Sequence, residues 1–214
     1  YSYMTPNIDI LNQHYLEIIN YLKKNKYIDT NTKAIEIGSN TGYFLNFLKD
    51  YVSKIIGIDP AKNIAQIANS NGNFTINEYF NSQSALKIKN QFGNQDIIIA
   101  RHMFAHNTYP QALLEGMEIL LSNNGIIVIE NAYAIPTFLR GEFDQIYHEH
   151  KFYYSLLSIN NLLNKFSFEI IDIKESSIHG GAITFIASRK NNYRKSDKIN
   201  NYVKNEKNEF LNLK

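Results

Sequence analysis

The sequence predicts an α/β fold, in which one mostly parallel sheet carries helices on both faces. Apolar runs of strand length alternate along the chain with segments of helical periodicity. The run at 96–100 is continuously apolar, which is typical of a strand that is covered on both sides. The last two apolar runs, 169–173 and 182–187, have no helix between them, so we expect the sheet to end in an antiparallel strand.

The individual elements follow from the spacing of apolar residues and from turn residues. Residues 8–25 repeat apolar side chains at helical spacing, with Asp9 early and Lys23 and Lys24 late, which suits the helix dipole. Asn71 and Gly72 are typical of a helix end. The predicted strands are 34–37, 55–58, 74–76, 96–100, 126–129, 169–173 and 182–187, and the predicted helices are 8–25, 43–51, 61–71, 82–90, 109–121 and 155–165.

One long segment, 131–154, lacks strong periodicity, and we expect it to be an irregular region after Pro136. Long irregular segments in compact domains are usually functional or disordered. This one is rich in aromatic and charged residues, so the functional interpretation is favoured.

Composition excludes several classes of function. A chain of 214 residues with a net charge of +2 suits one domain with a sizeable core and gives no basis for binding nucleic acid or an anionic membrane. The absence of cysteine excludes disulfides and thiolate metal sites. No apolar run reaches the ~18 residues of a membrane span. We expect a cytoplasmic protein. The missing initiator Met suggests either a fragment of a longer chain or a chain that has been trimmed.

A strand that runs directly into a glycine-containing turn and then a helix is the most informative segment. Its residues are E-I-G-S-N-T-G at 36–42, and the next predicted strand ends on Asp59. Glycines let the backbone approach a ligand closely, and an acidic residue at the neighbouring strand end can accept hydrogen bonds from a ribose diol. The segment therefore predicts a site for a nucleotide-type ligand.

Three interpretations of this turn differ in the ligand. A dinucleotide site uses G-x-G-x-x-G, whereas this turn has only Gly38 and Gly42 and follows Glu36, which would repel a pyrophosphate and attract a cation. A turn without a ligand is a further alternative. The segment resembles the first motif of class I S-adenosylmethionine (SAM) methyltransferases, whose ligand has a positive sulfur and no phosphate.

This resemblance implies SAM as the cofactor and a role for each polar residue of the site. Glu36, Ser39 and Asn40 would bind the amino acid part of SAM and Asp59 the ribose. The adenine would lie near Asn81 or its neighbours, after the third strand. The cofactor-binding residues that it implies are Glu36, Gly38, Ser39, Asn40, Gly42, Asp59 and Arg101.

The run Y-H-E-H at 147–150 carries the densest acid–base chemistry of the chain. A histidine accepts a proton at neutral pH, a neighbouring carboxylate can orient it, and a tyrosine can donate to a developing oxyanion. A metal site is less favoured, because H-E-H lacks the H-E-x-x-H spacing and histidines two residues apart point to different faces of a helix. A polar surface loop is the other alternative, and we predict no metal site.

Other histidines lie where a ligand would be expected. His102 and His106 follow the fourth strand, and ligands of open α/β sheets bind outside the carboxyl ends of strands. His102 or His106 would then lie beside a methyl donor. The alternative for each is a histidine with only a structural role. His179 precedes two glycines that a hairpin turn alone explains. We predict His148 and His179 as substrate contacts.

Five runs together resemble the sugar C-methyltransferases that act on nucleotide-linked 4-keto deoxysugars. They are E-I-G-S-N-T-G-Y-F-L at 36–45, G-I-D-P at 57–60, A-R-H-M-F-A-H at 100–106, F-D-Q-I-Y-H-E-H-K-F-Y-Y-S at 143–155 and H-G-G-A-I-T-F at 179–185. The resemblance implies a class I methyltransferase Rossmann-like fold. In that family a cysteine-ligated zinc module precedes the SAM domain and an α/β domain follows it.

Neither flanking module is represented in this chain, which has no cysteine and stops soon after the last of these runs. We therefore expect residues 1–190 to form the SAM-binding domain. We expect 191–214 to be a helix or tail that begins a missing C-terminal domain. Substrate binding would then require the missing domains or a partner chain.

The resemblance also implies the catalytic group, which by position is Tyr147, Glu149, His150 and His106. A 4-keto group acidifies the proton on the neighbouring C3, a base removes this proton, and the enolate carbon attacks the SAM methyl. We expect His150 to be the base and Glu149 to orient it, with Tyr147 and His106 near the ketone oxygen. Tyr147 is the alternative base.

Two other functions stay open on the sequence. The first is an O- or N-methyltransferase that uses a histidine as base toward a hydroxyl or an amine of a small molecule. The second is a truncated module that binds SAM without activity of its own.

Overall fold

The computed structural model describes residues 4–142 and 145–212, except for the side chains of 210–212. Phe143 and Asp144, the first residues of the run at 143–155, lie outside the described residues. The strands are β1 (Lys33–Ile37), β2 (Lys54–Ile58), β3 (Thr75–Ile76), β4 (Gln95–Arg101), β5 (Leu121–Ala132), β6 (Phe168–Ser176) and β7 (Ala182–Arg189). The helices are α1 (Asp9–Lys24), α2 (Tyr43–Leu48), α3 (Lys62–Ser70), α4 (Ser82–Phe92), α5 (Pro110–Leu120), α6 (Ala134–Arg140), α7 (Leu156–Asn164) and α8 (Lys198–Asn212).

The strands form a seven-stranded sheet in the order β3-β2-β1-β4-β5-β7-β6. β1 pairs in parallel with β2 and β4, whereas β7 pairs antiparallel with both β5 and β6. The predicted fold, a mostly parallel sheet with an antiparallel strand near its end, is confirmed. Because β1 lies between β2 and β4, the loops that follow these three strands meet at one edge of the sheet.

Alternate residues of the central strands point into two apolar cores, one on each face of the sheet. Ile35, Ile98 and Ile127 contact the core that includes α4, α5 and α7. Ala34 and Ile97 contact the core that includes α1 and α2. Burial on both faces explains why the sequence of β4 is continuously apolar rather than alternating.

Two segments differ from the prediction. Ala134–Arg140 was expected to be irregular and instead forms α6. The helix tolerates Pro136 because this is its third residue, whose N–H would have no partner within the helix. β5 begins at Leu121 instead of Ile126. Residues 123–125, predicted as a turn, lie inside this strand at a point where its register with β4 shifts.

The C-terminal segment contains α8, whose apolar side chains pack against the same core as α7. Glu206 on α8 is buried and accepts hydrogen bonds from the N–H groups of Leu156 and Leu157 and from the Tyr133 hydroxyl. A carboxylate from one helix thus satisfies N–H groups that the first turn of α7 cannot pair internally. The assignment of 191–214 to a further domain stays a prediction.

We expect Glu206→Ala to lower the free energy of unfolding by about 2–3 kcal/mol, because each buried donor left without an acceptor costs ~1–3 kcal/mol. Equilibrium urea denaturation measures this change. Glu209→Ala, on the same helix at a position that is not buried, is the matched control. Equal stability of the two variants would contradict the role of Glu206.

Candidate active site

A cavity of about 660 Å³ opens at the carboxyl ends of β1, β2 and β4. The chain has six histidines, which are spread along the sequence between His14 and His179. Five of them line the cavity, and the sixth, His150, packs against His106 with 4.8 Å between the ring centroids. The folded chain therefore concentrates its groups that titrate near neutral pH at one cavity.

Hydrogen bonds lock the turn after β1 to the end of β2. The Gly38 N–H donates to the Ile58 carbonyl at 2.8 Å, and the Asn40 N–H donates to Asp59 Oδ2 at 3.0 Å. Asp59 Oδ1 accepts from the Ala61 N–H at 2.9 Å. The Asp59 carboxylate is thus held at the cavity wall, with lone pairs left for ligand hydroxyls.

The two glycines of this turn have different functions, although φ is positive at both, 69° at Gly38 and 75° at Gly42. Gly38 lines the cavity, and a Cβ at this position would lie 3.0 Å from the Met103 side chain. Gly42 is not among the lining residues, and a Cβ there would lie 2.6 Å from Asn73 Cβ. Packing against Asn73 and the left-handed backbone therefore require Gly42, rather than the predicted approach of a ligand.

Glu36 and Arg101 form a buried ion pair behind the cavity wall. Arg101 Nε and Nη2 donate to Glu36 Oε1 at 2.9 and 2.8 Å, and the guanidinium lies over the rings of Tyr15 and Phe44. Burial raises the pKa of the Glu36 carboxyl to about 7, against the opposing attraction of Arg101. Arg101 lines the cavity, whereas Glu36, which was predicted to contact the ligand directly, does not.

The adenine was predicted near Asn81 or its neighbours, and the side chain of Asn81 itself caps α4. Asn81 Oδ1 accepts from the backbone N–H groups of Gln83 and Ser84 at 2.9 and 3.1 Å. The cavity wall beyond β3 is made instead by the rings of Tyr79 and Phe80. Flat apolar rings at this position suit a planar ligand group.

His150 lies between Tyr147 and a backbone carbonyl. Its Nδ1 is 2.9 Å from the Gln145 carbonyl oxygen, and its Nε2 is 2.9 Å from the Tyr147 hydroxyl. Because a carbonyl only accepts, Nδ1 carries the hydrogen and Nε2 accepts from the Tyr147 O–H. The arrangement polarises the Tyr147 hydroxyl toward His150.

The orienting group predicted for His150, Glu149, is replaced in this role by the Gln145 carbonyl. Both ring nitrogens of His150 have partners other than Glu149. Glu149 Oε1 lies 3.9 Å from Nε2 of His148, whose side chain is 88% exposed at the cavity mouth. The Glu149 carboxylate thus lies within ion-pair distance of an exposed histidine at the cavity mouth.

His106 and His179 both lie on the cavity wall, as expected for site residues. The His106 ring is 6.4 Å from that of Tyr147. Burial lowers the pKa of His106, and His150 lowers it further. Burial and the neighbouring His102 lower the pKa of His179. Both imidazoles are therefore neutral at pH 7 and able to accept a proton or a hydrogen bond.

A cluster around Glu130 on β5 was not predicted. Glu130 is 0% exposed, and its Oε1 lies 2.6 Å from His14 Nε2 on α1. Its Oε2 lies 3.5 Å from His102 Nε2. The signals were a charged residue directly after the apolar run at 126–129 and a histidine on the apolar face of α1.

The model of the methyltransferase domain family matches residues 10–173, which is more than half of the chain. The chain belongs to the methyltransferase domain family. The prediction of a SAM-dependent methyltransferase domain is confirmed at this level, whereas the roles of individual residues are proposals.

This methyltransferase domain is 28% identical over 188 residues to the C-methyltransferase NovU of Streptomyces niveus, a match that covers 88% of the chain and 45% of NovU. The chain thus spans less than half the length of that relative.

Two solved structures share the fold. Magnesium protoporphyrin IX methyltransferase of Synechocystis PCC 6803, with bound S-adenosylhomocysteine (SAH), has a TM-score of 0.64 and 12% identity over 88% of this chain and 91% of its own. A SAM-dependent methyltransferase of Anabaena variabilis has a TM-score of 0.62 and 17% identity, and the match covers 89% of this chain and 99% of that one.

Residues 4–142 and 145–212 contain neither a membrane-spanning helix nor a cluster of metal-ligating side chains. Within these ranges no helix is long and apolar enough to cross a membrane. In the same part of the chain, no three His, Cys, Asp or Glu side chains are placed to hold a metal ion.

We expect Asp59→Ala to weaken SAH binding about tenfold or more, because a charged hydrogen bond is worth roughly 1.5–3 kcal/mol. Isothermal titration calorimetry with SAH measures the affinity. Asp50→Ala, at an exposed position after α2, is the matched control. Unchanged affinity in Asp59→Ala would remove Asp59 from the ribose site.

Proposed function

We propose that this domain transfers the methyl group of SAM to a carbon of a nucleotide-linked 4-keto deoxysugar. The observation that carries the proposal is the hydrogen-bonded Tyr147–His150 pair beside the cavity, because C-methylation requires a group that removes a proton from carbon. Similarity to the C-methyltransferase NovU supports this reaction type. The choice of a nucleotide sugar as the substrate rests on the resemblance of five sequence runs to the sugar C-methyltransferases.

The residues present fit SAM. The cavity volume, about 660 Å³, lies within the ~300–1,000 Å³ of ligand pockets. Ser39 Oγ is buried and has no hydrogen-bond partner in the described part of the chain. In the proposed complex Asp59 accepts from the ribose, Arg101 and Ser39 bind the amino acid part, and the ring of Tyr79 packs on the adenine. SAM supplies an electrophilic methyl group.

Tyr147 and His150 are proposed to remove the C3 proton together. His150 Nε2 is already occupied by the Tyr147 hydroxyl, so the C3 proton reaches His150 by way of Tyr147. The Tyr147 oxygen takes the proton from C3 while its own hydrogen passes to His150 Nε2. An isolated tyrosine, with a pKa of ~10, would be a poor base at neutral pH. In this proposal Tyr147, the alternative base of the sequence analysis, takes the proton from C3, and His150 is the final proton acceptor.

We expect Tyr147→Phe and His150→Asn to bind SAH normally and to lose methyl transfer by a factor of ~10²–10⁴, the usual effect of removing a general base. Exchange of the C3 proton with deuterated solvent in the presence of SAH should fall by the same factor. Mass spectrometry with SAM and a panel of nucleotide 4-keto sugars measures transfer. Tyr109→Phe, 72% exposed and outside the cavity lining, is the matched control.

The same assays separate the alternatives. Exchange at the wild-type rate in both variants would contradict C-methylation by this pair. Methylation of an analogue whose ketone is replaced by a hydroxyl would identify an O-methyltransferase. SAH binding without methylation of any sugar, with activity appearing on addition of a C-terminal domain of a relative, would identify a module that depends on other domains.

A further inference from the structure

Gln145 connects the Tyr147–His150 pair to a separate wall of the cavity. Its backbone carbonyl oxygen lies 2.9 Å from His150 Nδ1, and its side-chain Nε2 donates to the His179 carbonyl at 2.9 Å. His179 lines the cavity from the turn before β7, 34 residues further along the chain. One residue thus hydrogen-bonds both the proposed final proton acceptor and the backbone of a residue in the cavity wall.

The Gln145 carbonyl is also held from a second side. The Tyr153 hydroxyl donates to the same oxygen at 2.9 Å, and a carbonyl oxygen has two lone pairs, so it accepts from both donors. The Tyr153 ring meets the His150 ring edge to face, with 5.8 Å between the centroids. The position of this carbonyl therefore determines where the His150 ring lies and which of its nitrogens carries the hydrogen.

The turn before β7 has an unusual backbone that side chains hold in place. His179, Gly180 and Gly181 have positive φ angles of 50°, 78° and 135°. Left-handed backbone is uncommon for a residue with a side chain and persists where the surrounding contacts hold it. Gln145 binds the carbonyl of His179, and Arg140 Nη1 donates to the carbonyl of Gly180 at 2.9 Å. The loop and the turn thus fix each other.

We propose that Gln145 is a positioning residue of the methyl transfer. Its side-chain amide holds the loop of Tyr147 and His150 against the turn of His179, and this fixes the carbonyl that keeps the hydrogen on His150 Nδ1. The inference rests on the proposed C-methylation.

In that reaction the C3–H bond breaks and its proton passes to the Tyr147 oxygen, while the Tyr147 hydrogen passes to His150 Nε2. The electron pair of the C3–H bond forms the C3=C4 double bond of the enolate, and the π electrons of the ketone move to its oxygen. C3 then bonds to the methyl carbon of SAM, and the electron pair of the broken bond to sulfur stays on the sulfur of SAH.

The tautomer of His150 links the placement of the ring to the rate. Nε2 can accept the Tyr147 hydrogen only with a free electron pair, and a neutral imidazole has this pair on Nε2 when Nδ1 carries the hydrogen. Gln145 is not among the residues that line the cavity, so it acts through His150. A misplacement of ~1 Å can lower a rate by ~10². Because the hydrogen bond from Gln145 Nε2 is exposed, its loss should change the rate more than the stability.

The test compares variants of the 214-residue chain. Gln145→Met keeps the length of the side chain and removes the donor, whereas Gln145→Lys restores an N–H donor on a side chain that is one bond longer. Gln111→Met, at an exposed position in the first turn of α5 and outside the cavity lining, is the matched control. SAH calorimetry and thermal unfolding establish that each variant is folded.

The first readout is ¹⁵N NMR of the histidine rings without substrate, in which the His150 signals are assigned by their loss in His150→Asn. The second is C3 deuterium exchange and methyl transfer with nucleotide 4-keto sugars. We expect wild-type His150 to give the signals of a ring protonated at Nδ1, and Gln145→Met to give an average of both tautomers. Exchange and transfer should fall together by ~10–10² in Gln145→Met, and Gln145→Lys should recover most of this loss. SAH affinity and Tm should stay at the wild-type values.

Wild-type ring signals and wild-type exchange in Gln145→Met would overturn the role of Gln145 and leave the proposed function intact. Equal losses in Gln145→Met and Gln145→Lys, with wild-type ring signals in both, would also overturn it, because the hydrogen bond would then not be the cause. A wild-type chain that binds SAH but neither exchanges nor methylates any keto-sugar, even with an added C-terminal domain of a relative, would overturn the proposed function, and this inference with it.

Discussion

Two buried carboxylates, Glu36 and Glu130, determine how the cavity wall is built. Each is buried in a central strand of the sheet, where an unpaired charge would cost several kcal/mol. Arg101 pairs with the first, and His14 and His102 surround the second. These pairings hold α1 and the residues after β4 against the carboxyl ends of the strands. Loss of one partner leaves a charge buried and typically destabilises a protein by ~3–5 kcal/mol. The residues that build the cavity wall therefore also stabilise the folded chain.

The pairings also separate the cavity into two chemical regions. Asp59 and Arg101 offer charged hydrogen-bonding groups at the ends of β2 and β4, which suits the ribose and the zwitterionic part of SAM. The other region is built from imidazoles and Tyr147. Burial and the neighbouring histidines lower the pKa of both His106 and His179, which keeps these imidazoles neutral at pH 7. In the proposed reaction the cationic methyl donor and the neutral acceptor would have distinct surroundings.

Most of the fold could be predicted because its signals are local. Apolar runs located the strands to within a few residues, and the turn at 36–42 with Asp59 located the edge of the sheet where the cavity opens. The errors arose where local signals conflicted with packing. Pro136 suggested irregular chain, although proline is tolerated in the first turn of a helix. Residues 123–125 suggested a turn, although pairing with β4 continues on both sides of them.

The sequence by itself determined the fold class, the edge of the sheet at which the cavity opens and the residue types available for acid–base chemistry. Periodicity, glycines and strand ends are properties of consecutive residues. Only the tertiary structure decided which groups meet. Arg101 reaches Glu36 across 65 residues, and His14 reaches Glu130 across 116. His150 is oriented by the Gln145 carbonyl, and Asn81 is used as a helix cap. The physical reason is that a hydrogen bond depends on the positions of separately packed elements. Every residue carries the same backbone carbonyl, so the sequence does not show which carbonyl accepts a hydrogen bond.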